Sequence, residues 1–472
     1  MADPDSFDVV VIGGGPGGYG AALYAASAGL SVAVVERDKV GGTCLHRGCI
    51  PAKHFLETAS VFRTVAGAKE LGVLADQPGV DFAVSQARKN KIVGQLHRGL
   101  SATMKGRSVT TVAGTGTLVE PGVVAVDPAD GEDHRELHGS NVVLATGSAT
   151  RSLPGFEIDG RLVLGSDEVL ALDRLPGSAA VIGGGAIGCE LASMMSDLGT
   201  HVTVLEVLPR LLPGCDGDVV DVVAESFRRR GIEVNTGVKV DGHTPAGDQT
   251  VVAFGEGRSV TVDAVVLAVG RRPLSDTLGL RGGGPLGGIE VDERGYVVVD
   301  RRMRTGVDGV YALGDLVDTP QLAHVAFAEA IVAVRDMLGE DPPGVDYANV
   351  PWCIYCHPEV AFAGLSEEAA RDAGHDVLVV RQRCNGGRAM ILGEAQGLVK
   401  VIAERRADGG AGRLLGVHMV GPWVTEQLAE AYLSVNWEAT AADVGRLVHP
   451  HPTLSETFGE AVLALTGRGL HG

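Results

Sequence analysis

The sequence predicts an α/β protein with two Rossmann-like dinucleotide-binding folds and a separate C-terminal α+β domain. Two observations predict this fold class. A strand–glycine turn–helix–strand pattern that ends in an acid occurs twice, and a Pro-Pro-Gly break at residues 342–344 precedes a run of strands and helices. At roughly 150 residues per domain, the 472 residues fit about three domains.

The first of the two patterns begins with a β-branched run at residues 7–12, which is typical of a buried parallel strand. A GxGxxG sequence follows at Gly13, Gly15 and Gly18, then an alanine-rich helix, then a second strand that ends at Glu36. Glycines let the backbone approach a pyrophosphate at the helix N-terminus, and the acid accepts hydrogen bonds from a ribose diol. We therefore expect a dinucleotide here rather than a purely structural turn.

The second pattern begins near residue 178. Its glycines are Gly183, Gly185 and Gly188, and Glu206 ends the next strand, 206 − 188 = 18 positions after the third glycine, as in the first copy. Two such folds imply two dinucleotides, and a redox relay between them is their natural use. The carboxylate of Glu206 favours NAD over NADP, because it would repel a 2′-phosphate.

Two cysteines, Cys44 and Cys49, lie in a glycine-rich stretch after the first pattern. In a regular helix this spacing would put their Cα atoms roughly 8–9 Å apart, and a disulfide needs about 7 Å or less. The two therefore never pair, or the backbone is irregular there, which glycine permits. Arg47 and Lys53 nearby, at a helix N-terminus, would stabilise both thiolates. The spacing alone leaves a redox-active pair and two buried thiols equally open.

Two further carboxylates are candidate site residues. Asp315 follows a short strand and could hold a ribityl hydroxyl, although a turn or capping role is commoner at such a position. Glu456 lies five positions after His451, in a loop that Pro450 and Pro452 stiffen. The carboxylate would fix the tautomer of the imidazole and raise its basicity, as a general base requires. Without other context, a capping role for this segment is favoured.

Composition and charge exclude several classes. The net charge of 40 − 59 = −19 argues against nucleic acid or an anionic membrane as partner. The apolar runs have strand length, so we expect no transmembrane segment. The acidic N-terminus lacks the basic start and long apolar core of a secretory signal, so we expect a cytoplasmic protein.

A second cysteine pair, Cys353 and Cys356 followed by His357, matches the CxxCH pattern of c-type haem attachment. We reject haem, because no secretion signal accompanies the pattern and His357-Pro358 is typical of a turn between strands. We expect two unpaired core thiols and no metal site.

Taken together, these motifs resemble the flavoprotein disulfide reductases, the class I pyridine nucleotide-disulfide oxidoreductase family. The resemblance covers essentially the whole chain in order and is greatest to the members that oxidise dihydrolipoamide with NAD⁺. It rests on residues 44–53, both GxGxxG units, residues 145–147, Gly314-Asp315 and residues 451–456. It implies an FAD-binding domain at residues 1–150, an NAD-binding domain at 151–274, a central FAD-binding segment at 275–347 and a dimerisation domain at 348–472.

The resemblance also implies site residues. FAD, tightly but non-covalently bound, would contact Gly13, Gly15, Gly18, Glu36, Thr43, Cys44, Lys53, Gly116, Thr146, Gly147, Asp315 and Ala323. NAD would contact Gly183, Gly185, Gly188, Glu206 and Gly270. The catalytic residues would be Cys44, Cys49, Lys53, Glu190, His451 and Glu456, with Lys53 paired to Glu190.

In such a homodimer His451, oriented by Glu456, would act on the cysteine pair of the partner subunit. The implied protein partner is the lipoyl domain of a 2-oxo acid dehydrogenase complex acyltransferase. His46-Arg47 and Pro450 depart from the usual pattern and leave the substrate preference open. The alternatives are a related NAD(P)H-dependent reductase of another small disulfide, and a non-catalytic subunit of a multienzyme complex.

Overall fold

The computed structural model describes residues 5–76, 79–128, 134–280 and 286–471. Contacts divide the chain into two compact units. Unit 1 comprises Met1–His54, Phe82–Arg151 and Gly270–Tyr347, and unit 2 comprises Phe55–Asp81, Ser152–Val269 and Ala348–Gly472. The finer division into four segments remains a prediction.

The strands and helices follow in chain order. The strands are β1 Ser6–Ile12, β2 Val32–Glu36, β3 Thr110–Glu120, β4 Val123–Pro128, β5 Arg135–Leu144, β6 Ser148–Thr150, β7 Val163–Leu164, β8 Ser178–Ile182, β9 His201–Glu206, β10 Glu233–Thr236, β11 Val240–Ala246, β12 Gln249–Phe254, β13 Arg258–Val262, β14 Ala264–Leu267, β15 Arg271–Pro273, β16 Val310–Ala312, β17 Trp352–Ile354, β18 Glu359–Gly364, β19 Val377–Cys384, β20 Gly397–Arg405 and β21 Ala411–Gly421. The α-helices are α1 Pro16–Ser27, α2 Gly42–His46, α3 Cys49–Gly67, α4 Phe82–Gly106, α5 Ser166–Val169, α6 Ala186–Asp197, α7 Gly217–Arg229, α8 Ala323–Met337, α9 Glu367–Asp372, α10 Gly387–Leu392, α11 Val424–Asn436, α12 Ala441–Val444 and α13 Glu456–Leu465.

Unit 1 is built on a parallel sheet in the order β3-β2-β1-β5-β16. Its central strand β1 pairs Val11 with Val34 on one side and with Val143 on the other, and all three side chains are fully buried. The outer parts of β3 and β5 continue past the parallel sheet and pair antiparallel with β4. Alanines of α1 and α8 pack into the core beneath the sheet.

Unit 2 contains a second parallel sheet in the order β10-β9-β8-β14-β7. The meander β11-β12-β13 follows β10, much as β3-β4-β5 decorates the first sheet. The strand order matches that of unit 1, except that the edge strand β7 precedes its sheet in the chain whereas β16 follows. The two predicted dinucleotide-binding folds are therefore confirmed.

The C-terminal part of unit 2 is an antiparallel sheet in the order β17-β18-β21-β20-β19. One face packs against α11 and α13 around an aliphatic core. The register aligns one row of side chains across the sheet: Trp352, Phe362, His418, Lys400 and Arg381. This α+β architecture confirms the prediction for the C-terminal domain.

Among the residues described, no helix is both long enough and apolar enough to cross a bilayer.

Candidate functional site

The two glycine turns have nearly the same geometry. Gly13 and Gly183 have φ of +104° and +106°, which favour glycine. A Cβ on Gly18 would lie 1.8 Å from the Gly13 oxygen, and one on Gly188 would lie 1.9 Å from the Gly183 oxygen. Only glycine fits at the third position of each motif, because α1 and α6 pack directly against the turns that precede them.

Both turns leave room for a phosphate. Gly15 and Gly185 are the N-caps of α1 and α6, and no side chain caps either helix. A Cβ on Gly185 would meet no atom within 4 Å, and one on Gly15 would meet only the Gly42 Cα at 4.0 Å. Uncapped N–H groups at a helix N-terminus bind phosphate. The two turns therefore fit the pyrophosphates of FAD and NAD.

Glu36 and Glu206 brace these turns from the end of the following strand. Glu36 Oε2 accepts the Gly14 N–H at 2.6 Å, and Glu206 Oε2 accepts the Gly184 N–H at 2.5 Å. The other oxygen of each accepts the N–H two residues further on, at 2.8 and 2.7 Å. Each carboxylate keeps lone pairs for a ribose. This second role of the acids, in fixing the turn, was not predicted from the sequence.

Cys44 and Cys49 lie on either side of a break between two helices. Helix α2 ends at His46, Arg47 leaves the helical region with φ −137° and ψ 3°, and α3 starts at Cys49. Their thiols form a hydrogen bond with each other. The irregular backbone that pairing requires is present, so helical spacing does not keep the two sulfurs apart.

The surroundings of Cys44 disfavour its thiolate. The hydrogen bond with Cys49, burial and the charge of Cys49 raise the pKa of Cys44, and Lys53 opposes this only in part. The predicted stabilisation of a thiolate is therefore wrong for Cys44. Burial, and then the charges of Cys44 and Cys49, also raise the pKa of Tyr19 on α1 to about 12.

His46 and Arg47 stabilise the turn before α2. His46 Nε2 lies 2.9 Å from the Val40 oxygen, and His97 Nδ1, from α4, lies 3.1 Å from the same oxygen. Arg47 Nη1 forms an ion pair with Asp38 at 3.1 Å. These contacts give the two unusual residues a structural role beside the cysteine pair.

Asp315 is held by two residues that the sequence analysis missed. The Ser148 hydroxyl donates to Asp315 Oδ2 at 2.5 Å, and Arg271 Nε donates to that hydroxyl at 2.6 Å. Arg271 Nε also lies 3.7 Å from the carboxylate. Behind this turn the fully buried Glu329 accepts the Gly314 N–H at 2.7 Å, and burial raises the pKa of Glu329. Binding of a ribityl hydroxyl by Asp315 remains a prediction.

The other residues predicted to contact the dinucleotides lie after strand ends or at helix starts, except Gly116, which lies within a strand. They are Thr43 in α2, Gly116 in β3, Thr146 and Gly147 after β5, Ala323 at the start of α8, and Gly270 after β14. Gly147 and Gly270 each lie three positions after the last residue of their strand, with φ of +70° and +98°. Gly147 and Gly270 therefore occupy equivalent positions in the two dinucleotide-binding folds.

Glu190 lies on α6, immediately after the glycine turn of unit 2. Its side chain is buried, and Oε1 accepts the Tyr355 N–H at 2.9 Å. That N–H belongs to the segment that carries Cys353 and Cys356, which this contact anchors to α6. The pairing of Glu190 with Lys53 remains a prediction.

His451 and Glu456 form the predicted pair. His451 Nδ1 lies 2.7 Å from Glu456 Oε1, while Oε2 accepts the Thr453 N–H at 2.6 Å. Burial opposes the ionised carboxylate, but these hydrogen bonds outweigh it and lower the pKa of Glu456. The side chain of His451 is 77% exposed. Glu456 thus orients the imidazole and ties the loop to α13. Ser455, the N-cap of α13, makes no side-chain capping hydrogen bond, so the capping role that the sequence favoured is wrong.

Comparisons with known proteins match this architecture. Residues 7–330 match the pyridine nucleotide-disulphide oxidoreductase family, and residues 350–462 match its dimerisation domain. The dihydrolipoyl dehydrogenase of Bacillus subtilis is 40% identical over 98% of this chain and 99% of its own length. The dihydrolipoyl dehydrogenase of Thermus scotoductus is 38% identical over 99% of each chain.

Solved structures agree with these relatives. LpdA from Mycobacterium tuberculosis superposes with a TM-score of 0.90 at 27% identity, covering 97% of this chain and 99% of its own. The HOCl-induced flavoprotein disulfide reductase RclA from Escherichia coli superposes with a TM-score of 0.85, at the same identity and coverage.

Proposed function

Because this chain belongs to the pyridine nucleotide-disulphide oxidoreductase family, we propose that Cys44, Cys49, His451 and Glu456 carry its thiol chemistry. The reaction is the oxidation of dihydrolipoamide to lipoamide with reduction of NAD⁺. The observation that carries the assignment of residues is the thiol pair at the break between α2 and α3, in the unit that holds the first glycine turn. Bound FAD would supply the acceptor for the electron pair of the reduced Cys44–Cys49 pair, and NAD⁺ would leave with that pair as hydride.

The first half of the thiol chemistry opens the enzyme disulfide. His451 accepts a proton from one thiol of dihydrolipoamide, and the resulting thiolate attacks Cys44 Sγ. The Cys44–Cys49 bond breaks, and Cys49 leaves as a thiolate. The raised pKa of Cys44 fits a reduced pair in which Cys44 takes up a proton.

The second half releases the product. The remaining substrate thiol attacks the substrate sulfur that is bonded to Cys44, which closes the ring disulfide of lipoamide. The bond to Cys44 breaks, and Cys44 takes up the proton that the attacking thiol loses, while the first proton stays on His451. The substrate has then lost two electrons, and the cysteine pair has gained them.

The protein is a homodimer, in keeping with its dimerisation domain. His451 acts in this proposal on the cysteine pair of the partner subunit. Two features support this role: the imidazole is largely exposed, and Glu456 and the surrounding loop fix its orientation. An oriented and exposed base suits a site that a second subunit completes.

The proposed protein substrate is the lipoyl domain of a 2-oxo acid dehydrogenase complex acyltransferase, a class of partner that the name of the curated relatives implies. The proposed site of action is the cytoplasm. Four other cysteines support this location, because free thiols are typical of a reducing compartment: Cys189, Cys215, Cys356 and Cys384 are free.

Steady-state rates test the proposal directly. Dihydrolipoamide and a panel of small dithiols are compared with NAD⁺ and with NADP⁺, followed by a free lipoyl domain as substrate. Among the small dithiols we expect the highest kcat/KM with dihydrolipoamide and NAD⁺. The kcat/KM for the lipoyl domain should exceed that for free dihydrolipoamide. A clear preference for another dithiol, or for NADP⁺, would contradict the proposed substrates.

Replacing Glu206 with alanine is expected to weaken NAD⁺ binding far more than FAD binding. The change removes a ribose acceptor and the two hydrogen bonds that brace the turn at Gly184. Isothermal titration with NAD⁺ and the bound flavin content of the purified protein measure the two effects. Glu36→Ala, at the equivalent position of the other fold, is the matched control and should lower flavin content instead. Equal losses of both cofactors in Glu206→Ala would mean that the two folds are wrongly assigned.

A further inference from the structure

Lys400 is a lysine almost completely removed from solvent, with 3% of its side chain exposed. It lies on β20, within the residues that match the dimerisation domain. Three carboxylates surround its Nζ: Asp216 at 2.8 Å, Asp218 at 2.5 Å and Glu367 at 2.9 Å. Nothing in the thiol chemistry above uses this group.

Asp216 is the buried member of the three, with 2% of its side chain exposed. It is the N-cap of α7, and its Oδ1 accepts both the Asp218 N–H at 3.0 Å and the Lys400 ammonium. Removing the ammonium would leave this buried carboxylate without its charged partner, which is strongly destabilising. Lys400 therefore fixes the residue at which α7 begins.

The loop that leads into α7 is in turn packed on the glycine turn of unit 2. The Leu212 N–H donates to the Gly184 oxygen at 2.8 Å, and a Cβ on Gly184 would lie 2.5 Å from Leu211 Cδ2. The Gly184 N–H is the group that Glu206 accepts. A shift of Asp216 thus moves residues 211–215 against the turn that holds the dinucleotide.

We propose that Lys400 is a positioning residue for NAD⁺: from the dimerisation domain it holds the N-terminus of α7, and through residues 211–215 it sets the shape of the turn at Gly184. This inference rests on the proposed assignment of NAD to the fold of unit 2. It predicts that a residue far along the chain from the glycine motif controls NAD⁺ affinity, while the thiol chemistry is independent of it.

The test is Lys400→Met, which keeps the length of the side chain and removes its charge. We expect the Kd for NAD⁺ to rise roughly 2- to 30-fold, the range typical of residues that act through a packed network. The anaerobic rate of flavin reduction by dihydrolipoamide should not change, because that half-reaction needs no NAD⁺. Flavin content and circular dichroism report whether the variant is folded.

Arg381→Met is the matched control. Arg381 is the next residue in the same row of the sheet and forms ion pairs with Asp218 at 2.8 Å and Glu367 at 2.5 Å, the two carboxylates of the cluster other than Asp216. The Arg381→Met variant removes a positive charge beside Asp218 and Glu367 but leaves the Lys400–Asp216 ion pair intact. The Kd of this variant for NAD⁺ should therefore stay at the wild-type value. A Kd raised equally in both variants would overturn the proposal, because general charge would then account for the effect.

Asp216→Asn provides a second variant in case Lys400→Met does not fold. It keeps the shape of the cap and removes the charge that Lys400 pairs with, and we expect it to raise the Kd for NAD⁺ without slowing flavin reduction. An unchanged Kd in a folded Asp216→Asn or Lys400→Met protein would overturn the inference. Its failure is distinct from failure of the proposed function, which would appear as normal NAD⁺ binding in Glu206→Ala.

Discussion

Cys49→Ser is expected to abolish the oxidation of dihydrolipoamide, lowering kcat/KM by roughly 10⁴-fold or more, since it removes one half of a redox pair that acts as a unit. Serine cannot form the disulfide with Cys44, so the substrate thiolate has no bond to break. The flavin should still bind, because the change leaves the glycine turn at Gly13 intact.

The measurement is anaerobic stopped-flow reduction with dihydrolipoamide. Wild-type protein should show a long-wavelength charge-transfer band between the Cys49 thiolate and the flavin, and the variant should show none. Cys384→Ser is the control: Cys384 is a buried thiol at the end of β19, 5% exposed, and its loss should leave both rate and band intact. Retention of rate and band in Cys49→Ser would refute the assignment of the redox pair.

His451→Gln is expected to lower kcat/KM for dihydrolipoamide by about 10²–10⁴-fold, the usual contribution of a general base. Glutamine keeps a polar side chain near Glu456 but cannot accept the substrate proton. NADH-dependent reduction of an artificial electron acceptor should survive, because that reaction bypasses the substrate thiols.

Two variants locate the effect in the imidazole. Glu456→Gln should reduce the rate less than His451→Gln, because it weakens orientation and leaves the base in place. His449→Gln is the control, since His449 Nε2 instead contacts Glu430 at 2.9 Å and its ring packs on Gly459. If the two histidine variants lost the same rate, damage to the loop would explain the result, and His451 would lose its assigned role.

Elements set by local rules could be predicted from the sequence. Close backbone contacts that only glycine permits determine the two glycine turns, with their acids and the helices that follow. Such constraints can be recognised in the sequence as glycines at a fixed spacing. The spacing of Cys44 and Cys49 could not decide between a redox-active pair and two buried thiols. Pairing depends on a break between two helices, and the spacing does not determine the geometry of that break.

Contacts between distant parts of the chain could not be predicted. Arg271 reaches the Ser148 hydroxyl across 123 positions, and Lys400 reaches Asp216 across 184 positions. No residue pattern marks either pair, since each member is ordinary in its own segment. The proximity of Tyr19 to the thiols was missed for the same reason: a tyrosine in an alanine-rich helix is normally a packing residue.

The exposure of His451 means that the active unit is the dimer and not the single subunit. Under the proposed function one polypeptide carries halves of two different sites, so a separated subunit is inactive even when fully folded. Mixing Cys49→Ser chains with His451→Gln chains would then regenerate activity, because each mixed pair assembles one intact site and one doubly defective site. Dilution below the dissociation constant of the dimer would inactivate the protein without unfolding it, so the subunit concentration would control turnover.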